Sequence, residues 1–264
     1  GALRDHIASE SFLAGAYDPH PFIVNPFKLA RGLKSVAEQA GVRVFEQTPV
    51  TILEDGKPVR ISTPGGGVSA AAVVLAMNGY GAATGFMASR ILPVHTYIVM
   101  TEPLSRGDLE STGWHRRRTS LETARNLIHY FRLTVDNRIV FGGEDADLYY
   151  GGVYRDSNDG MFAALERRFR KYFPSLRHVR ISHRWGGVLG VTLDMFPAFG
   201  AGGEHGTIFH AAGYSGHGVS LSNYAGTLLA PRVLDALGVK HGLPAIEQPF
   251  FFGRKPFPLP PDPV

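Results

Sequence analysis

His210-Ala211-Ala212-Gly213-Tyr214-Ser215-Gly216-His217-Gly218-Val219 joins an apolar run, Thr207 to Ala212, to an amphipathic pattern from about Gly218 to Leu237. The first has the length of a buried strand and the second the spacing of a helix. Three glycines at a strand-to-helix corner let backbone come very close to a ligand. The helix start adds unpaired N–H groups and a partial positive charge, so an anion or a developing negative charge is the natural guest. An ordinary glycine-rich turn has the same pattern, and the corner alone leaves both readings open.

Two other readings of glycine-rich corners are weak here. Gly213-Tyr214-Ser215-Gly216-His217 nearly matches the GxSxG nucleophile elbow of hydrolases, but His217 stands where the last glycine belongs. Only one helix and a Pro-rich tail follow it, with Asp235 and His241 as poor candidates for the acid and the base. Gly79-Tyr80-Gly81-Ala82-Ala83-Thr84-Gly85 is a near miss to GxGxxG, and Pro93 leaves too little room for the helix a dinucleotide fingerprint needs.

Outward from the corner, Asn25-Pro26 followed by Leu29, Leu33, Val36, Ala37 and Ala40 and then Gly41 predicts a helix over 26–40. Val42 to Glu46, Val50 to Leu53, Val59 to Ser62 and Ala70 to Ala76 read as strands, with a turn at Pro64 to Gly67. The run Ala71 to Ala76 suits a strand buried on both faces, as in a parallel sheet. Farther on, His95 to Thr101, Leu127 to Thr134 and Arg138 to Gly142 read as strands, the last two joined as a hairpin around Asp136-Asn137. On the second of these strands, Tyr130 and Arg132 share one face by two-residue alternation. Asn158 caps a helix that ends before Pro174, and a strand over Val179 to Val188 follows.

The 264 residues carry 44% hydrophobic and 19% charged side chains, which excludes a chain disordered over most of its length. The net charge of +4 does not imply nucleic acid, because Arg116-Arg117-Arg118 and Arg167 to Lys171 lack aromatic interleaving. With no cysteine, disulfides, thiolate metal sites and cysteine nucleophiles are excluded. The 11 histidines show no ligand spacing, so no metal is expected. No apolar run has the length of a membrane span and no signal peptide opens the chain, so no membrane partner and a cytoplasmic address are expected.

The corner Gly213 to Gly218 resembles the C-terminal flavin-contacting motif of the FAD-dependent amine and amino-acid oxidases, the DAO family. Asn25-Pro26, Val73 to Tyr80, Leu92-Pro93-Val94, Thr101 to Leu104, Tyr130 to Leu133, Arg138 to Gly143, Arg184 to Gly187 and Pro256-Phe257-Pro258 look like that family in the same order, and most like its gamma-glutamylputrescine oxidoreductase branch. The resemblance implies a mixed α/β (α+β) fold, with part of a Rossmann-like FAD-binding domain interleaved with an antiparallel-sheet substrate domain. It assigns residues 26–90 and 190–240 to an incomplete FAD-binding domain, 1–25 and 91–189 to the substrate domain, and 241–264 to an irregular tail. The GxGxxG segment that grips the pyrophosphate in this family has no counterpart before residue 26. A missing N-terminal segment or a partner chain is therefore expected to complete the cofactor site.

Carried over by position, the resemblance places the backbone of Val50 against the adenine and Ala76 on a strand edging the cofactor. Gly213, Tyr214, Ser215, Gly216, His217, Gly218 and Val219 fall beside the isoalloxazine of FAD. Tyr130, Arg132 and Trp185 match the substrate side, and with His217 they are the implied catalytic set. Leu189 stands where the amino-acid oxidases of the family carry an arginine for the substrate α-carboxylate, unless Arg132 or Arg184 reaches the same spot. The implied activity is oxidation of an amine, such as a γ-glutamyl polyamine, to an imine by hydride transfer to FAD. The rivals are a sarcosine or glycine oxidase-like activity and a silent fragment that contributes half a fold to an assembly.

Overall fold

A computed structural model describes residues 2–85, 87–148 and 157–260. The chain divides into two compact units, each built from separated stretches: Gly1–Ile23, His95–Asp147 and Tyr154–Val188 in the first, and Val24–Val94, Leu148–Val153 and Leu189–Val264 in the second. Helices and three sheets make a mixed α/β fold.

In the second unit, α1 (Pro26–Gln39) starts where the Asn25 side chain accepts the Lys28 N–H at 3.0 Å, with Pro26 in the first turn. It stops at Gly41, whose φ of 90° lets Val42 N–H reach Ala37 O and Gly41 N–H reach Glu38 O, both at 3.0 Å. None of its residues is buried. The strand expected at Val42 to Glu46 does not form; these residues have no strand partner among the described residues, and an unpaired extended segment leaves its backbone groups to water.

Next come β1 (Ile52–Glu54), β2 (Val59–Thr63) and β3 (Gly66–Ala70), an antiparallel meander in which Leu53 faces Ile61 and Ile61 faces Val68. The turn is tighter than expected, because Gly66 and Gly67 already pair with Thr63 and Ser62. Only Val73–Leu75 of the long apolar run forms a strand, β4. It is an edge strand and Val74 is 46% exposed, so the expected burial on both faces is corrected.

The first unit is a five-stranded sheet in the order β6-β7-β8-β5-β9, built from β5 (Leu92–Thr101), β6 (Leu121–Glu122), β7 (His129–Leu133), β8 (Ile139–Leu148) and β9 (Ile181–Val191). Between β5 and β6, α2 (Arg106–Thr112) carries a capping box in which Ser105 and Asp108 satisfy each other's backbone N–H. The β7–β8 hairpin turns at Asn137, φ 63°, with Asn137 N–H on Thr134 O at 3.1 Å. Strand β5 alternates strictly between buried and half-buried residues. Its buried side, with Phe131 and Phe141, packs on α3 (Asp159–Tyr172) through Phe162, Leu165 and Phe169. Asn158 caps α3 by accepting the Met161 N–H at 3.2 Å. Burying each such side chain contributes about 1.5–3 kcal/mol, which makes this aromatic core the main support of the unit.

The second unit resumes with β10 (Ala198–Gly202) and β11 (Ile208–Ala212), antiparallel to each other, and β11 also pairs in parallel with β4. Every residue of β11 is buried. The final helix, α4 (Gly218–Ala236), closes over them with Ala225, Leu228 and Leu229 against Phe199, Phe209 and Tyr214. Among the described residues the tail beyond α4 has no helix and only an isolated bridge of Phe252 to Phe199, yet it is anchored: Gly253 N–H donates to Phe199 O at 2.6 Å, and the Arg232 guanidinium sits 4.2 Å over the Phe252 ring. No helix among the described residues is long and apolar enough to cross a membrane.

Candidate functional site

The corner between β11 and α4 is made by left-handed backbone at Gly213 (φ 71°), Ser215 (φ 48°) and Gly216 (φ 98°). For a serine this conformation is strained by about 1 kcal/mol or more, so its surroundings must hold it. Ser215 N–H donates to Gly190 O at 2.9 Å, and its Oγ donates to Gly213 O and accepts Thr192 N–H, both at 3.4 Å. From another direction, Asn78, itself left-handed at φ 46°, accepts Gly213 N–H at 3.0 Å and Tyr214 N–H at 3.4 Å on Oδ1. Three separate segments, around residues 78, 190 and 214, are thus tied at one point.

Glycine makes that crossing possible. A Cβ on Gly79 would lie 2.9 Å from the Leu189 carbonyl, one on Gly190 would lie 2.5 Å from Asn78 Oδ1, and one on Gly213 would lie 2.7 Å from Thr192 Cγ2. Gly216 and Gly218 have different reasons. A Cβ on Gly216 would meet nothing within 4 Å, so only its φ demands glycine, and one on Gly218 would touch Tyr214 at an ordinary 3.5 Å.

No side chain caps α4, no acidic residue stands in its first turn, and His217 at the N-cap is exposed. The ladder begins with Leu221 N–H on His217 O at 3.2 Å, which leaves the N–H groups of the first turn without intrahelical acceptors. Behind this open end the corner is buried. Tyr214 is buried, donates its hydroxyl to Ala211 O at 3.2 Å and has its phenol pushed up by burial. Burial pushes His210 on β11 down to about 4, so its imidazole is neutral. Ser215 Oγ is engaged and buried, and the hydrolase reading of the corner loses its nucleophile.

Of the other residues singled out, Val50 is exposed just before β1 and Ala76 is exposed just after β4, both in the same unit as the corner. Tyr130 and Arg132 lie half-buried on one face of β7, and Trp185 on β9 is 39% exposed, all three in the other unit. Arg184 forms an ion pair with Glu166 of α3, so that guanidinium is already committed. The glycine run after β4 folds into a short 3-10 helix, Asn78–Thr84, rather than a phosphate-binding turn.

Neither Asn78, inside the Val73 to Tyr80 stretch, nor Thr192 carries a sequence pattern that marks it as a site residue. An Asn-Gly pair directly after a strand is a legible turn signal for Asn78-Gly79. For Thr192 the local bond, its hydroxyl to Phe196 O at 2.8 Å, gives no sign of the corner, because the Ser215 it also meets is 23 residues away.

A family model described as FAD dependent oxidoreductase (DAO) matches residues 2–232. The chain is 31% identical over 250 residues to a probable oxidoreductase OrdL of Haemophilus influenzae, which covers 91% of this chain and 55% of that protein. It is 32% identical over 231 residues to the gamma-glutamylputrescine oxidoreductase of Escherichia coli, covering 87% and 52%. Among solved structures, glycine oxidase from Geobacillus kaustophilus superposes with a TM-score of 0.64 at 24% identity, over 82% of this chain and 55% of that one, which establishes likeness of fold. The chain spans about half the length of the curated relatives it matches.

Proposed function

The chain belongs to the FAD dependent oxidoreductase (DAO) family, and from that premise we propose that it supplies the ring-facing corner and the substrate-facing sheet of an enzyme that oxidises the C–N bond of an amine to an imine. The observation that carries the reading is the uncapped start of α4 behind Gly213–His217. Bound FAD would supply the acceptor of the substrate hydride. The residues present fit its ring end: the space beyond Gly216 is open, and the helix start offers N–H groups and no acidic side chain.

In this reading the first-turn N–H groups of α4, from Gly218 and Val219 onward, would hold the ring end of bound FAD and favour negative charge there. Asn78, Gly190 and Thr192 keep the corner rigid, so that little reorganisation is needed when charge appears. His217 stands at the mouth of the corner, the backbone of Val50 would meet the adenine, and Ala76 would edge the cofactor. Residues 26–90 and 190–240 serve as the cofactor domain, and 1–25 and 91–189 as the substrate domain.

Tyr130, Arg132 and Trp185 face the substrate. A guanidinium pairs a carboxylate through two N–H bonds, so Arg132 suits the carboxylate of a γ-glutamyl group. That choice accords with the name of the Escherichia coli relative. Leu189 has no charge to pair a carboxylate beside the reacting carbon, and desolvating an unpaired one is costly.

Anaerobic flavin reduction in the flavin-loaded protein tests this. Reduction is expected to be faster with putrescine and γ-glutamylputrescine than with glycine or sarcosine, and Arg132→Met should slow γ-glutamylputrescine much more than putrescine. Fastest reduction by glycine or sarcosine would overturn the substrate class. Equal losses for both amines in Arg132→Met would remove the docking role.

A further inference from the structure

Tyr130 on β7 stands in register with Gly142 on β8. A Cβ on Gly142 would lie 2.9 Å from Tyr130 Cε2 and Cζ and 2.8 Å from Ile98 Cγ1. The ring therefore crosses over the bare α-carbon of β8 toward β5, where the Thr96 side chain lies near the Tyr130 hydroxyl. Strands β7, β8 and β5 are neighbours in the sheet, so one aromatic side chain is fixed by three strands. A glycine inside a strand weakens it, and here the close approach of a ring explains its presence. Burial also pushes the Tyr130 phenol up, which keeps the hydroxyl protonated.

We infer that Gly142 and Thr96 are positioning residues that set the attitude of the Tyr130 ring on the substrate-facing side of the sheet. The inference rests on the substrate-facing role given to Tyr130 and Arg132 above. Arg132 follows on the same face of β7, about 7 Å farther along the strand. The pair offers a flat apolar platform and then a cation, which matches an amine with an alkyl stem and a distal carboxylate. The stem lies along the ring while the carboxylate meets the guanidinium. A methyl at 142 fills the bay under the ring and tilts the platform, and without the Thr96 hydroxyl its far end is loose. A misplacement on the order of 1 Å is enough to cost a large factor in rate.

Two measurements test the assignment. In the chain labelled with 13C at the tyrosine ring ε positions, the Tyr130 signal, identified by its loss in Tyr130→Phe, should shift in Gly142→Ala and in Thr96→Val but not in Thr96→Ser. In the flavin-loaded protein, Gly142→Ala should lower kcat/KM for γ-glutamylputrescine about tenfold, mainly through KM, with flavin content unchanged. In a Tyr130→Ala background the same substitution should change it less than about twofold, since no ring remains to be displaced. A Tyr130 signal that stays put in folded Gly142→Ala, or an equal loss in both backgrounds, overturns the assignment. Should Gly142→Ala fail to fold, the Thr96→Val and Thr96→Ser pair decides alone, an unmoved signal in Thr96→Val being the overturning result. If the loaded protein oxidises no amine at all, the proposed function falls while the tyrosine signals still judge the positioning role.

Discussion

Asn78 receives two backbone N–H groups on one side-chain oxygen, and that arrangement holds Gly213 and Tyr214 in the corner. The glycines around it serve different purposes, which can be separated by substitution. Gly218→Ala adds a methyl in ordinary contact with Tyr214 and no positive φ, so the thermal midpoint should stay within a few degrees. Flavin retention should fall instead in Gly216→Ala, whose methyl projects into the open space where backbone is proposed to meet the ring. Unchanged flavin content after gel filtration would count against the corner as the cofactor contact.

His210 gives a pH signature. Its folded value of about 4 lies below the ordinary 6.5 because burial disfavours the charged ring. The unfolded chain therefore takes up the proton first as pH falls. Stability is full above about pH 6.5, declines below it, and levels off under about pH 4 after a loss on the order of 3 kcal/mol. Urea midpoints at pH 7.5 and 5.0 should differ in the native chain and differ less in His210→Gln.

Elements differ in how their ends are satisfied. Asn25, Ser105 and Asn158 cap α1, α2 and α3 with their side chains, whereas α4 has no such cap. The exception falls at the helix whose start is proposed to meet the cofactor, where a capping side chain would compete for the same N–H groups. Asn158→Ala should cost about 1 kcal/mol, as the loss of an N-cap usually does. Its effect should appear in the chemical unfolding midpoint of the chain without a change in flavin content.

At the scale of the molecule, the two units are held by separate cores. The first is dominated by aromatic side chains, with Phe131, Phe141, Phe169, Phe173 and Trp114 all buried, and the second by Phe199, Phe209, Leu228 and Leu229. By contrast α1 displays Phe27, Leu33 and Val36 to solvent, Phe27 at 69% exposure. Phe169→Ala should therefore destabilise by about 3–5 kcal/mol, while Phe27→Ala should stay within about 0.5 kcal/mol. Denaturant titrations of the two variants compare them directly.

Local chemistry in the sequence determined the helices and turns: Asn25-Pro26, Asn158 and Asp136-Asn137 form caps and a turn from neighbours within a few residues. It also marked Gly213–Val219 as a close-approach corner, since glycine density is a local property. Local patterns did not determine which extended segments become strands. Val42 to Glu46 has the pattern without a strand partner among the described residues, while Ala198–Gly202 gains strand structure by pairing with β11. Nor could they show that Asn78 and Thr192 brace a corner far along the chain, or that Gly142 is bare so that Tyr130 can cross it. Those facts depend on contacts between residues distant in sequence, and only the folded chain brings such residues within hydrogen-bond and van der Waals range.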